Sequence, residues 1–217
     1  MKEITLCLTS CNRWNLLEKT IDSFLKLNSY PIKEYLIHED SNNEEIYQKI
    51  QDKYGYLFKI LKPEKNVGLL KSIDNLYELV TTEYIFHLED DWEFKGNPDF
   101  MQESLNILEN NKNIHQIWIR SGIPNDWLEP KNNNNFRMVK KSHYGDWTGF
   151  SFNPGLRRLF DYKLMFPEGY SKHHDKTKNS ALNEHDCNLV TINFNYRAAL
   201  LNNSACKHIG ENQSTYK

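Results

Sequence analysis

The feature that most constrains this chain is a rhythm in its first ninety residues. Short apolar, β-branched runs alternate with longer stretches of helical spacing. Ile4–Thr9 reads as a buried strand. Asn15–Leu27 then carries Leu16, Leu17, Thr20, Ile21, Phe24, Leu25 and Leu27 at helical spacing. Tyr35–His38 is a second strand, Glu44–Tyr54 a second helix and Phe58–Leu61 a third strand. Pro63 and Asn66-Val67-Gly68 punctuate a turn, Leu69–Val80 forms a third helix, and Tyr84–Leu88 a fourth strand. This order predicts an α/β fold with a mostly parallel sheet and right-handed crossovers. Ligands of such sheets gather at the carboxyl ends of the strands. The search for a site therefore narrows to Thr9–Arg13, Glu39–Asn43, Asn66–Lys71 and Glu89–Glu93.

The second half is less regular. Phe100–Leu108 reads as a helix, Ile114–Arg120 as a strand, and Arg137–Phe152 as strand-rich. Leu156–Tyr162 and Asn183–Ile192 read as short helices. Pro124–Asn135 and Glu168–Ser180 read as mobile loops, the second carrying His173 and His174. No internal repeat or long linker divides the 217 residues, so one domain is expected.

Composition excludes several classes. A net charge of -2 argues against a dedicated nucleic-acid binder, which shows a basic stripe. No apolar run approaches the roughly 18 residues of a membrane span. The four cysteines, Cys7, Cys11, Cys187 and Cys206, form no C-x-x-C pair. They read as free, buried thiols of a reducing compartment. With no apolar h-region after Met1, a cytoplasmic location is expected.

The segment Phe86-His87-Leu88-Glu89-Asp90-Asp91 carries the most chemistry. An apolar strand runs directly into three acids, whose mutual repulsion calls for a cation or donors. Hard oxygen ligands at a strand end suit Mg²⁺ or Mn²⁺, particularly beside a diphosphate.

Here the chain resembles the GT-A fold glycosyltransferases of the inverting, family-two type. Glu89-Asp90-Asp91 resembles their D-x-D motif, in a Glu-Asp-Asp form. The resemblance implies that Asp91 binds the divalent ion, with Glu89 and Asp90 facing the ribose or donor sugar. Leu8-Thr9-Ser10-Cys11-Asn12-Arg13 resembles the strand-end signature T-x-x-N-R, implying that Thr9, Ser10, Asn12 and Arg13 meet the nucleotide. An N-cap at Asn12 or Asn15 accounts for the same residues without a ligand. His38-Glu39-Asp40-Ser41 resembles D-D-x-S, with Asp40 accepting from base or ribose; an Asx turn is the alternative. Asn66 and Gly68 match E-N-x-G-x-x-x-A-R-N, but Asp74 stands at its Arg position, leaving Lys71 as the candidate phosphate cation.

On the acceptor side, an inverting transfer needs a carboxylate base. Asn183-Glu184-His185-Asp186-Cys187-Asn188-Leu189 resembles the E-D-x-x-L helix start, implying Asp186 as base with Glu184 in reserve. A first-turn acid favoured by the helix dipole is the alternative. His208-Ile209-Gly210 resembles the late histidine that completes the metal site in this fold. Asp146, Trp147, Gly149 and Asn153 are expected to line the sugar pocket.

The resemblance implies a metal-dependent enzyme using Mn²⁺ or Mg²⁺, a nucleotide sugar (a UDP-sugar favoured) and a carbohydrate acceptor. Residues 1–95 would hold the donor and 96–217 the acceptor. A sugar nucleotidyltransferase would carry a Gly-rich early loop, and Thr9–Arg13 has no glycine. An inactive glycan-binding module would lose the acids or the late histidine, and both are present.

Overall fold

The computed structural model describes residues 1–132, 134–141, 148–173 and 180–211. The alternation of the first half is realised as β1 (Ile4–Ser10), α1 (Trp14–Leu27), β2 (Glu34–Glu39), α2 (Glu44–Tyr54), β3 (Lys59–Leu61), α3 (Leu69–Glu78) and β4 (Tyr84–Glu89). Every residue of β1 is buried, as expected of a central parallel strand covered on both faces. The remaining elements are β5 (Trp92–Phe94), α4 (Phe100–Asn110), β6 (Ile114–Trp118), β7 (Phe136–Met138), β8 (Gly155–Arg158), α5 (Leu159–Met165), α6 (Ser180–Asn193), β9 (Arg197–Leu201) and β10 (Cys206–His208).

Eight strands form one sheet in the order β3-β2-β1-β4-β8-β6-β9-β7. Strands β3, β2, β1 and β4 are parallel. Strand β8 enters antiparallel between β4 and β6, and β9 runs parallel to β6. A single sheet thus passes from the first half of the chain into the second. Strands β5 and β10 pair separately, antiparallel, with His208 opposite Trp92.

Two expectations for the second half are corrected. Leu156–Arg158, read as the start of a helix, lies in strand β8, and the helix begins only at Leu159. Its Leu-Arg-Arg run has no strong strand propensity; pairing on both sides decides it. The segment after Pro124, read as a mobile loop, is tied to β7. Glu129 N donates to Met138 O at 2.9 Å and Lys140 N to Trp127 O at 2.8 Å.

The core has two layers. One side of the sheet packs Phe24, Phe86, Phe94 and Phe100 at ring separations of 5.1–6.4 Å. The other gathers Tyr77, Phe150, Tyr162, Phe166 and Tyr170 under α3 and α5. All four cysteines are free and buried. No helix among the described residues is long and apolar enough to cross a membrane.

Candidate active site

The carboxyl ends of β1, β2 and β4 lie side by side, and their loops form one polar network. After β1, Asn12 takes a left-handed backbone, φ 58°, which asparagine tolerates better than most residues. This turn sends Arg13 toward the acids after β4. Arg13 Nε donates to Asp90 Oδ2 at 3.1 Å, Nη2 to Asp90 Oδ1, and Nη1 to Asp91 Oδ2 at 2.9 Å. Cys11 N also donates to Asp90 Oδ2, at 3.3 Å. Helix α1 fixes the turn from behind. Thr20 Oγ1 donates to Asp90 O at 2.9 Å and accepts from Trp92 N at 3.0 Å.

Asp91 meets the late histidine. Ile209 N donates to Asp91 O at 2.9 Å, which brings His208 Nε2 to 3.2 Å from Asp91 Oδ2. The His208 ring lies 5.1 Å from that of Trp92. Gly210 packs against the Asp91 side chain so closely that a Cβ there would stand 2.7 Å from Asp91 Cβ. Two ligands about 2.1 Å from one octahedral ion, at right angles, stand about 3.0 Å apart. The Asp91–His208 separation is compatible with such an edge, and a bound ion would replace the hydrogen bond between them. Among the described residues no third His, Cys, Asp or Glu joins them. The other positions would fall to water and to substrate phosphates, a common arrangement for Mg²⁺.

The charge balance favours a cation. Burial, then the charges of Asp91, Glu184 and Asp90, holds the Glu89 carboxyl well above its ordinary range. Burial also pushes Asp90 up to about 6, against the pull of Arg13. Glu184, on α6, is raised by burial, although Phe152 N donates to its Oε1 at 2.8 Å and Ser151 Oγ at 3.2 Å. Arg120, beyond β6, feels both Glu184 and Glu89. Four carboxyls thus meet three guanidinium groups, those of Arg13, Arg120 and Arg157.

Several expected contacts are engaged elsewhere. Asp40 is fully buried and takes hydrogen bonds from Val67 N and Gly68 N, both at 2.8 Å. Asn66 Nδ2 closes the same link by donating to Asp40 O at 2.9 Å. Gly68, at φ 87°, makes the turn that presents both N–H groups. Asp40, Asn66 and Gly68 therefore latch β2 to the start of α3, and any nucleotide contact by the Asp40 carboxylate competes with these bonds. Lys71, the expected phosphate cation, has a side chain that is 45% exposed and lies 3.7 Å from Glu78. Asn12 and Asn15 do not cap α1, whose N-cap is Arg13 without a side-chain bond. Asn12 N instead donates to Glu39 Oε1 at 2.9 Å. Thr9 Oγ1, Ser10 Oγ and Glu39 Oε2 are buried without hydrogen-bond partners at these same strand ends.

Asp74, where the resemblance calls for Arg, is a structural acceptor. It takes bonds from Tyr162 OH at 2.9 Å, Tyr170 N at 2.7 Å and Ser171 N at 2.8 Å. Asp74→Ala strands all three donors and should cost about 3 kcal/mol of stability. A urea midpoint equal to wild type would contradict this role.

On the acceptor side, Asp146 and Trp147 lie outside the described residues. Gly149 is a packing position rather than a pocket wall: at φ 96°, a Cβ there would meet Ala198 Cβ at 2.8 Å. Asn153 donates to Ser151 Oγ at 2.7 Å, adjoining Glu184. Asp186 is half-buried on α6, about 200° around the helix from Glu184. That turns it toward the side of exposed Leu182 and Leu189, away from the face Glu184 shares with buried Cys187 and Asn188. The structure groups Arg13, Glu89, Asp90, Asp91, Glu184 and His208. It does not bring Asp186 to that face.

Arg120 and Thr20 belong to the site without having been identified from sequence. Thr20 was read as a core position, and its hydroxyl gave no separate signal. Arg120 ends an apolar strand, the same signal that singled out the acids after β4.

Comparison with known proteins places the fold. The family described as Glycosyl transferase family 2 matches residues 5–182. No curated protein matches the sequence. Among solved structures, a mannosyltransferase from Pyrobaculum calidifontis, in complex with GDP-Man and Mn²⁺, aligns with TM-score 0.64 at 12% identity. The alignment covers 97% of this chain and 58% of that one. S. aureus TarS 1-349 aligns at 0.63 and 14%, over 97% and 61%. GalNAc-T7 with UDP, GalNAc and Mn²⁺ aligns at 0.71 and 10%, over 96% and 44%. The chain thus spans between 44% and 61% of the length of these three. At such identities the likeness is one of fold.

Proposed function

The chain belongs to glycosyl transferase family 2, and on that premise we propose that it moves a sugar from a nucleotide-diphosphate donor to a carbohydrate hydroxyl with inversion, using Mn²⁺ or Mg²⁺. Family and GT-A fold are shown; the transfer itself, with its donor, metal and acceptor, is the proposed part. The observation that carries the proposal is the convergence of Asp91 and His208 at 3.2 Å beside the strand-end acids. UDP-sugars are the first donors to try. A solved neighbour is complexed with UDP, and another with GDP-Man.

In this reading Asp91 and His208 hold the ion, which when bound neutralises the leaving diphosphate. Arg13 keeps the acid turn folded by bridging Asp90 and Asp91. The unpartnered hydroxyls of Thr9 and Ser10 mark the strand end where the nucleotide would lie. Residues 1–95 serve the donor, and 96–217 the acceptor. The resemblance pointed to Asp186 as base. The packing favours Glu184, whose raised affinity for a proton suits a base working near neutrality.

A thermal-shift panel of UDP-, GDP- and dTDP-sugars, with and without Mn²⁺, tests the proposal. Ligand at about 100 times its Kd adds about 2.7 kcal/mol, or a rise of about 5 °C or more for a chain this size. One nucleotide should give that rise only with metal. Absence of any shift, or an equal shift in chelator, would remove the donor-site reading.

A further inference from the structure

The proposed transfer leaves more than one cavity unused, and the smaller one carries an inference. It encloses about 180 Å³ at the carboxyl end of β6, roughly six water volumes. Arg120, Lys131 and Arg137 line it together with Asn125, Asn202 and Ser204, and no Asp or Glu does. This is unusual in a chain whose acids outnumber its Lys and Arg by 29 to 27.

Lys131 and Arg137 lack the compensation found elsewhere, and Arg120 meets Glu184 and Glu89 only at a distance, without an ion pair. Arg13 faces Asp90 and Asp91, Arg158 faces Asp161 at 2.5 Å, and Arg197 faces Glu129 at 2.5 Å. Among the described residues, Arg120, Lys131 and Arg137 make no such ion pair. Arg137 is held by neutral acceptors, Glu129 O at 2.7 Å from its Nε and Asn125 Oδ1 at 2.8 Å from its Nη1. Its fork is positioned while its charge stays unmatched. Arg120 lies 4.9 Å over the Trp118 ring, with a buried Nε that has no hydrogen-bond partner. Gathering like charges in a concave site is unfavourable unless an anion joins them.

The cavity also borders the reaction centre. Arg120 is its inner wall and feels both Glu184 and Glu89. The Arg120 backbone bridges Cys206 at the start of β10, and the rest of the lining comes from residues 121–204, none of it from the β1–β4 half. Three cations in one small hollow suit a single charged group better than a polymer backbone, which is met by a stripe.

We propose that this cavity binds a phosphate or carboxylate carried by the acceptor, so that the acceptor is an anionic glycan or sugar phosphate. The inference rests on the proposed transfer for the word acceptor; the anion site itself does not depend on it. The arginine fork suits either anion, and Lys131 adds a point charge at the rim.

Titrations of the full chain with glucose 6-phosphate, glucuronate and glucose, followed by NMR, test it. At least one charged probe should bind at least tenfold more tightly than glucose, and which of the two does so identifies the anion. Arg137→Gln should remove most of that preference. Lys131→Gln changes an exposed side chain and should weaken it about threefold with the fold intact. Charged and neutral probes binding within twofold of each other would overturn the proposal, as would a preference that survives both substitutions. The donor panel is read on the same protein. Loss of all nucleotide-sugar binding, with the anion preference retained, would sink the proposed transfer and leave the anion site standing.

Discussion

Asp91→Asn should reduce metal-dependent turnover of the preferred nucleotide sugar by about 10²–10³-fold or more, the scale seen when one electrostatic stabiliser of a transition state is removed. The variant keeps the size of the side chain and the backbone bond from Ile209 N to Asp91 O. It loses the anionic oxygen that lies 3.2 Å from His208 Nε2 and 2.9 Å from Arg13 Nη1. Removing one charge also relieves repulsion on Glu89 and Asp90, so the melting temperature should stay within a few degrees of wild type. Turnover measured across a Mn²⁺ titration separates the two effects. A weakened site is partly rescued by more metal, and a merely unfolded one is not. Full activity of the variant in chelator would end the metal role of Asp91.

The second large effect is expected at Glu184. Glu184→Gln should lower transfer by about 10²–10⁴-fold, the usual contribution of a positioned base, while donor binding persists. Asp186→Asn should leave transfer within a few-fold of wild type. The reverse result would return the base to Asp186. Stability gives an independent reading. Burial raises the Glu184 carboxyl above its unfolded value, so the folded state holds that proton more tightly. Wild type therefore loses stability as pH rises from the unfolded value, about 4.3, through the folded one. Glutamine has no proton to lose. The melting temperature of the variant, relative to wild type, should rise between pH 4 and pH 7. A flat difference would mean that Glu184 is not held in an environment that resists its charge.

The legibility of this site follows the range of the interactions that build it. The acids after β4 stood out because an apolar strand ending in three carboxyls is a local anomaly. His208 stood out through a resemblance in three consecutive residues. Lys71 stood out as a cation near a Gly-containing helix start, and the phase of α3 places it on an exposed face beside Glu78. Asp74 was a mismatch in the motif and proved to be an acceptor for Tyr162, Tyr170 and Ser171, up to 97 residues away. Neither outcome can be read from a window of neighbours.

The sequence by itself determined the alternating strands and helices of the parallel half, because strand and helix periods there are strong and local. It also determined that the acids sit at a strand's carboxyl end. The tertiary structure decided the rest. It chose strand over helix for Leu156–Arg158 through pairing with β4 and β6. It brought His208 to Asp91 across 117 residues, through the β5–β10 ribbon and the bond from Ile209 N. It also turned Glu184, rather than Asp186, toward the acids. Two residues along a helix is about 200° of rotation, so packing of α6 on one face admits only one of them. Hydrogen bonds and burial between distant segments made those choices, and no local pattern encodes them.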